Sequence, residues 1–166
     1  HKVWTVPTMG GDFVLDRRFG FTDGVMGGNL WFLAETEDAA IDAAERGAAA
    51  VNGCSGTIMT FPGSVAASAS KAGSKYSFLI ASTFAEYCPT LRDSPDVETR
   101  LPENVQSVME IVINGRSVEA ISDATQAAIE ASVDTPGLVK ITAGNYGGRL
   151  GKSFVWLKPE LHQEGE

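Results

Sequence analysis

Apolar and polar positions along the chain fall into two similar blocks, each a short apolar run, a stretch with apolar residues three and four apart, then another short run. In the first block Asn29 to Ala34 predicts a buried strand, and Thr36 is placed to cap a helix with Glu37 and Asp38 in its first turn. Ile41, Ala44, Ala48 and Val51 share one face of that helix, Asn52-Gly53 stops it, and Thr57 to Phe61 predicts the next strand. In the second block Val108 to Ile113 is the strand, Asn114-Gly115 the turn and Ser117 the helix cap. Val118, Ile121, Thr125, Ala128 and Ser132 form the helix face, Asp134 to Gly137 ends it, and Leu138 to Thr142 is the closing strand.

Two strand–helix–strand units predict an α+β fold over residues 1–166, a single ferredoxin-like lobe. Its split βαβ layout puts two helices on one face of an antiparallel sheet. A doubly wound parallel sheet competes, but it calls for more strand–helix alternation than two helices supply. Extra strands are expected outside the blocks: Lys2 to Met9, turned by Gly10-Gly11, then Tyr76 to Ala81, and Phe154 to Leu157. Phe13 to Phe21 is ambiguous. Gly24 to Gly28 reads as a tight loop, and Ser64 to Lys75 and Asp93 to Asn104 as longer ones.

Composition narrows the function. A length of 166 residues with 43% hydrophobic and 20% charged residues fits one ordinary domain. The net charge of −8 argues against sequence-independent nucleic-acid binding, which needs a basic face. No apolar window is long enough to span a bilayer, and no secretory signal opens the chain. Cys54 and Cys88 lie far apart with no CxxC, the usage of a reducing cytosol. The two histidines, His1 and His162, are terminal, which removes ordinary zinc sites and Ser-His or Cys-His pairs. The proton carrier of any enzyme here is then a carboxylate, lysine, tyrosine or bound water. A start at His1, directly on a strand-like run, reads as a piece of a longer polypeptide.

Three motifs carry candidate chemistry. Gly147-Gly148-Arg149-Leu150-Gly151-Lys152-Ser153 approaches GxxxxGKS but is one residue short between the glycines, and a strand rather than a helix is expected after it. It is no phosphate loop. Glu110 sits among Val108, Met109, Ile111, Val112 and Ile113. It is either a carboxylate facing water from an edge strand or a partly desolvated one, and desolvation tunes a carboxyl toward proton transfer. Ser68-Ala69-Ser70-Lys71-Ala72-Gly73-Ser74-Lys75 can hold an anionic or amide-bearing ligand, or is a solvated loop. Cys88 has no internal histidine to activate it and reads as core or pocket wall; Trp4, Trp31 and Trp156 read as packing.

Met9-Gly10-Gly11, Gly24-Val25-Met26-Gly27-Gly28-Asn29, Phe61-Pro62-Gly63, Ala67 to Lys71, Cys88-Pro89-Thr90-Leu91, Glu110 to Ile113 and Ile141 to Lys152 form an ordered series from about Lys2 to Leu157. In combination they resemble the formylmethanofuran–tetrahydromethanopterin formyltransferase family of methanogens and methylotrophic bacteria. The resemblance implies a cytoplasmic homo-oligomer of two-lobed chains, this one looking like the distal, C-terminal lobe that needs an N-terminal lobe for activity. It implies transfer of a formyl group from methanofuran to N5 of tetrahydromethanopterin, both acting as coenzyme substrates, with no metal or tightly bound cofactor. Glu110 matches the family's proposed catalytic carboxylate. Ser68, Ser70, Lys71, Asn145, Tyr146, Arg149 and Lys152 are expected to bind substrate, with Lys75 as a further local cation; these roles come from loop chemistry. The alternative is a non-catalytic assembly or small-molecule-binding module of a formyltransferase/hydrolase complex.

Overall fold

The computed structural model describes residues 2–67, 70–74, 76–144, 151 and 153–158. The chain runs β1 (Val3–Thr8), β2 (Gly11–Asp16), β3 (Val25–Ala34), α1 (Glu37–Asn52), β4 (Thr57–Met59), β5 (Ser70–Ala72), β6 (Ala81–Thr83), β7 (Ser107–Gly115), α2 (Val118–Ser132) and β8 (Leu138–Thr142). Short 3₁₀ turns occupy Ala85–Tyr87 and Pro89–Leu91.

The central sheet has the order β4-β7-β3-β8, and its neighbouring strands all pair antiparallel. Strands of the two blocks therefore interleave, the split βαβ arrangement expected from the sequence, and the parallel alternative does not hold. Two hairpins stand outside it, β1 with β2 and β5 with β6.

Both helices start where their caps predict. The Thr36 and Ser117 hydroxyls accept from the amides of Ala39 and Ala120 at 3.1 and 3.2 Å. Small residues line the buried face of α1: Ala40, Ala43, Ala44, Gly47 and Ala48. They let α2 approach closely. A Cβ on Gly47 would lie 3.0 Å from both the Phe32 ring and Ser132 Oγ, and that hydroxyl donates to Ala43 O at 2.8 Å.

Period-2 alternation sorts the central strands into two faces. Leu30, Phe32 and Ala34 of β3 join Met109, Ile111 and Ile113 of β7 beneath the helices. Trp31 and Leu33 point the other way, where Phe84, Leu101 and Val105 cover them. That covering comes from the predicted Asp93 to Asn104 loop and the residues that flank it. Arg92 secures it, its guanidinium donating to the carbonyls of Leu101, Pro102 and Val105. A sheet buried on both faces explains why β3 reads as a continuous apolar run.

The departures from expectation are local. Gly24 to Gly28 is no separate loop: from Val25 the segment is already β3, with a register shift between Val25 and Gly28 that Gly27 accommodates at φ +83°. Asn114-Gly115 lies within β7, so the turn comes after it. Tyr76 to Ala81 is mostly the connection between β5 and β6. Its Phe78 and Ile80 are exposed, so their apolar character reflects no burial within this chain. The ambiguous segment yields β2 as far as Asp16. Phe154 to Leu157 joins no ladder; Val155 and Leu157 rest against the core, and Trp156 O accepts from Gln126 Nε2 at 3.0 Å.

Candidate functional site

Strand register decides where Glu110 points. Its neighbours Met109 and Ile111 face the helices, so Glu110 must face the opposite layer with Trp31, its cross-strand partner. On its other side, the Glu110 amide donates to Ala66 O at 2.6 Å and Ala66 N donates back to Glu110 O at 2.9 Å. Because both backbone groups are turned to Ala66, the Trp31–Glu110 pair is the non-hydrogen-bonded kind, in which side chains approach most closely. Trp31 Nε1–H donates to Glu110 Oε1 at 3.0 Å.

Asn29, two residues earlier on the same face, donates from Nδ2 to that same Oε1 at 3.0 Å. Its Oδ1 accepts from the Gly144 amide at 3.1 Å. Glu110 is thus buried, at 5% exposure, and the reading of it as a carboxylate in open water is set aside. Two N–H donors supply the compensation that a buried charge demands.

The surrounding wall is aromatic. Trp31 meets Phe84 and Tyr87 edge to face, each with centroids 4.9 Å apart. Lys71 Nζ lies 5.3 Å from the Phe84 ring centroid, a cation held over a π face. Cys88 is half-buried and its Sγ donates to Phe84 O at 3.4 Å. Burial, reinforced by the charge of Glu86, pushes its thiol above the ordinary range, which suits a wall residue and not a nucleophile.

Three stretches separated in sequence thereby converge. Ala66 leads into the Ser68–Lys71 segment, Glu110 sits at the centre, and Gly144 immediately precedes Asn145 and Tyr146. Ser70 and Lys71 lie on β5, so the Ser/Lys stretch is partly a hairpin strand. Ser68, Lys75, Asn145, Tyr146, Arg149 and Lys152 lie outside the described residues.

Sequence reasoning missed Asn29, Gly144 and the polar role of Trp31. Pairing the two apolar strands antiparallel on paper would have put Asn29, Trp31 and Glu110 on one face. Trp4 and Trp156 do not share Trp31's burial: both are exposed, Trp4 under the Arg17 guanidinium and Trp156 stacked on Phe154.

Two surface clefts lie away from Glu110. One of about 430 Å³ is lined by Lys2, Asp16, Arg17 and Arg18, and another of about 280 Å³ lies between α2, β8 and Leu157–Lys158. Among the described residues no three His, Cys, Asp or Glu side chains cluster to hold a metal, and no helix is long and apolar enough to cross a membrane.

An α+β lobe that holds a hydrogen-bonded carboxylate on the sheet face away from its helices defines the general class. The sequence model described as "FTR, proximal lobe" matches residues 11–159. The chain is 47% identical over 157 residues to the formylmethanofuran–tetrahydromethanopterin formyltransferase of Archaeoglobus fulgidus, covering 94% of this chain and 52% of that protein. It is 49% identical to the Methanopyrus kandleri enzyme of the same name, covering 94% and 51%. Among solved structures it resembles the formyltransferase of Methanosarcina barkeri, at TM-score 0.76 and 43% identity, over 91% of this chain and 51% of that one. It also resembles the formyltransferase/hydrolase complex of Methylorubrum extorquens in complex with methylofuran, at TM-score 0.77 and 34% identity, over 96% and 52%. The chain belongs to the formylmethanofuran–tetrahydromethanopterin formyltransferase family. It corresponds to the proximal lobe, which corrects the expectation of a distal one. It spans about half the length of the curated relatives it matches.

Proposed function

We propose that this lobe, together with a second lobe, transfers a formyl group from formylmethanofuran to N5 of tetrahydromethanopterin, with Glu110 carrying the proton. In that reaction N5 attacks the formamide carbon, a new C–N bond forms, and the bond to the furan-bearing amine breaks. The proton lost by N5 must reach the departing amine. Glu110, as a carboxylate, takes it from the attacking nitrogen and delivers it to the leaving one. The tetrahedral intermediate develops an oxyanion that needs fixed N–H or O–H donors. Ser68, Ser70, Asn145 and Tyr146 are our candidates for these. Lys71, Lys75, Arg149 and Lys152 are the cations proposed to meet the anionic coenzyme tails on an otherwise acidic chain.

The observation that carries this reading is a buried carboxylate that accepts from Asn29 and Trp31, with Ala66 and Gly144, close in sequence to several of the candidate binding residues, tied to the same site. The names of the relatives support the reaction and its two coenzyme substrates, and none of the steps above calls on a bound cofactor. Glu110→Gln, made in the protein bearing both lobes, should leave folding and oligomeric state unchanged and lower turnover about a hundredfold or more. Parent-like turnover would remove Glu110 from the mechanism.

The partner side of the reading is a cytoplasmic homo-oligomer of two-lobed chains, or a place in a formyltransferase/hydrolase complex. Its support is the β1–β2 hairpin. Trp4, Val6, Phe13 and Leu15 alternate onto one face of it, and Trp4 and Phe13 are more than half exposed. An isolated two-stranded hairpin is marginal in water, so a covering surface fits this face. Gel filtration and pull-down of partner subunits test it; a monomer with no partners would refute it.

A further inference from the structure

The Asn29 side-chain orientation is fixed by chemistry, because the Gly144 amide can only donate and Oδ1 must therefore be the atom that faces it. Nδ2 is then necessarily the atom facing Glu110, and it too can only donate. Trp31 Nε1–H is likewise a donor with no acceptor capacity. Two obligate donors thus converge on one carboxylate oxygen, Oε1.

We propose that Asn29 and Trp31 are positioning residues that hold Glu110 through Oε1 and so fix the orientation of its carboxylate toward the reacting nitrogen. The proposal rests on the reading of Glu110 as the proton carrier. A carboxyl group that can take a proton on either oxygen presents it in two directions about 2 Å apart, and only one can meet the reacting nitrogen. Held at Oε1 by two donors, the carboxylate keeps one orientation. The same arrangement ties the carboxylate to the chain leading into Asn145 and Tyr146. A shift of Gly144 pulls on Asn29 Oδ1, and the other end of that amide group holds Oε1. Trp31 is the more rigid donor, since it is 1% exposed and pinned edge to face by Phe84 and Tyr87.

Two variants, each made in the protein bearing both lobes, test this. Trp31→Phe keeps an aromatic ring in the wall and removes the N–H. Asn29→Asp keeps the oxygen that accepts from Gly144 and turns the second donor into a carboxylate oxygen facing Oε1. Each is read by the pH dependence of kcat, by KM for both coenzymes, and by infrared difference spectra of ¹³C-glutamate-labelled protein in which Glu110→Gln identifies the Glu110 carboxyl bands. Trp31→Phe should lower kcat roughly ten- to a hundredfold with KM within about twofold. Asn29→Asp should lower kcat at least as far, because it sets a carboxylate oxygen against Oε1 in place of the donor. In both variants the Glu110 carboxylate bands should shift.

Bands that stay in place in both variants would overturn the proposal, as would a kcat profile matching the parent's in both. If the bands shift but Glu110→Gln turns over like the parent, the acid–base reading of the site fails and the hydrogen-bond assignment stands. The two variants report separately, so the loss of one to misfolding leaves the other decisive.

Discussion

Gly144 is where the fold and the site constrain each other most tightly, and replacing it by alanine puts that to the test. A Cβ there would lie 2.8 Å from Asn29 Nδ2 and 2.8 Å from Trp31 Cζ2. Neither neighbour can give way freely. Trp31 is buried against two aromatic rings, so turning it off its rotamer costs about 0.5–1.5 kcal/mol. Swinging Asn29 aside breaks its bond to the Glu110 carboxylate, about 1.5–3 kcal/mol for a hydrogen bond to a charged group. Withdrawing the Gly144 backbone instead loses the bond to Asn29 Oδ1, about 1 kcal/mol. Any relaxation combines at least two of these, so the expected loss is about 2–4 kcal/mol, within the range for overpacking and lost buried hydrogen bonds. At roughly 2–4 °C per kcal/mol for a chain of this size, the melting temperature falls by about 4–16 °C. Gly10→Ala is the control: its Cβ meets nothing within 4 Å and its φ lies outside the left-handed region, so its melting should match the parent's. Melting would be followed by far-UV circular dichroism. A Gly144→Ala protein melting within about 1 °C of the Gly10→Ala control would refute the close approach of this backbone to Asn29 and Trp31.

Thr36→Ala removes the cap of α1 and should cost about 1 kcal/mol in urea unfolding, with the slope against denaturant unchanged. Gly47→Leu forces a side chain between Phe32 and Ser132, each already 3.0 Å from a Cβ at that position. It should destabilise by about 1–3 kcal/mol or more, whereas Gly47→Ala should cost less. Cys88 keeps its proton above the ordinary thiol range, so its alkylation by iodoacetamide should be slower than that of a free cysteine at neutral pH. The rate should climb only as pH passes that range; because the unfolded chain ionises its thiol first, this group's contribution to stability declines over the same window. Fast alkylation at pH 7 would show that the thiol is not held up by burial and Glu86.

The helices and the central strands were readable because local signals agreed with tertiary demands. Thr36 and Ser117 cap where they stand in the sequence, and the predicted Leu138 to Thr142 strand has the same bounds in the structure. The hairpins were harder because their burial is not decided within this chain. Phe78 and Ile80 carry strand-like apolar character yet are exposed, and Ser70–Ala72 forms a strand from Ser, Lys and Ala, which have little β preference. At the site, the chemical type of Glu110 was visible from its apolar neighbours, but its direction was not. Direction depends on which strand it pairs with, and Trp31 lies 79 positions earlier in the chain. Asn29 escaped notice for the same reason: a polar residue at the head of an apolar run looks like a strand boundary until its partner is known.

That pairing also explains how a carboxylate can sit inside an apolar strand without undermining it. In the observed register, Trp31 opposite Glu110 and Leu30 opposite Ile111, the sheet sends every charged or amide group of this stretch to the face away from the helices. Turning β7 over, as a one-residue slip of its face would, puts Glu110 beneath the helices, near the positions now held by Met109 and Ile111. That layer is built mainly of apolar side chains, with the buried Ser132 hydroxyl already committed to Ala43 O, and an unpaired charge there costs several kcal/mol. The slip would also turn Ile111 and Ile113 away from the helices. Glu110 therefore excludes the wrong register while Asn29 and Trp31 reward the right one, so the group proposed to move the proton also fixes the strand that carries it. The consequence is measurable. Glu110→Leu leaves the Trp31 and Asn29 N–H groups without their acceptor and should lose thermal stability as well as turnover, whereas Glu110→Gln, which keeps an accepting oxygen, should lose turnover with little change in melting. A Glu110→Leu protein that melts like the parent would refute this account, because Asn29 and Trp31 would then draw no stability from the carboxylate.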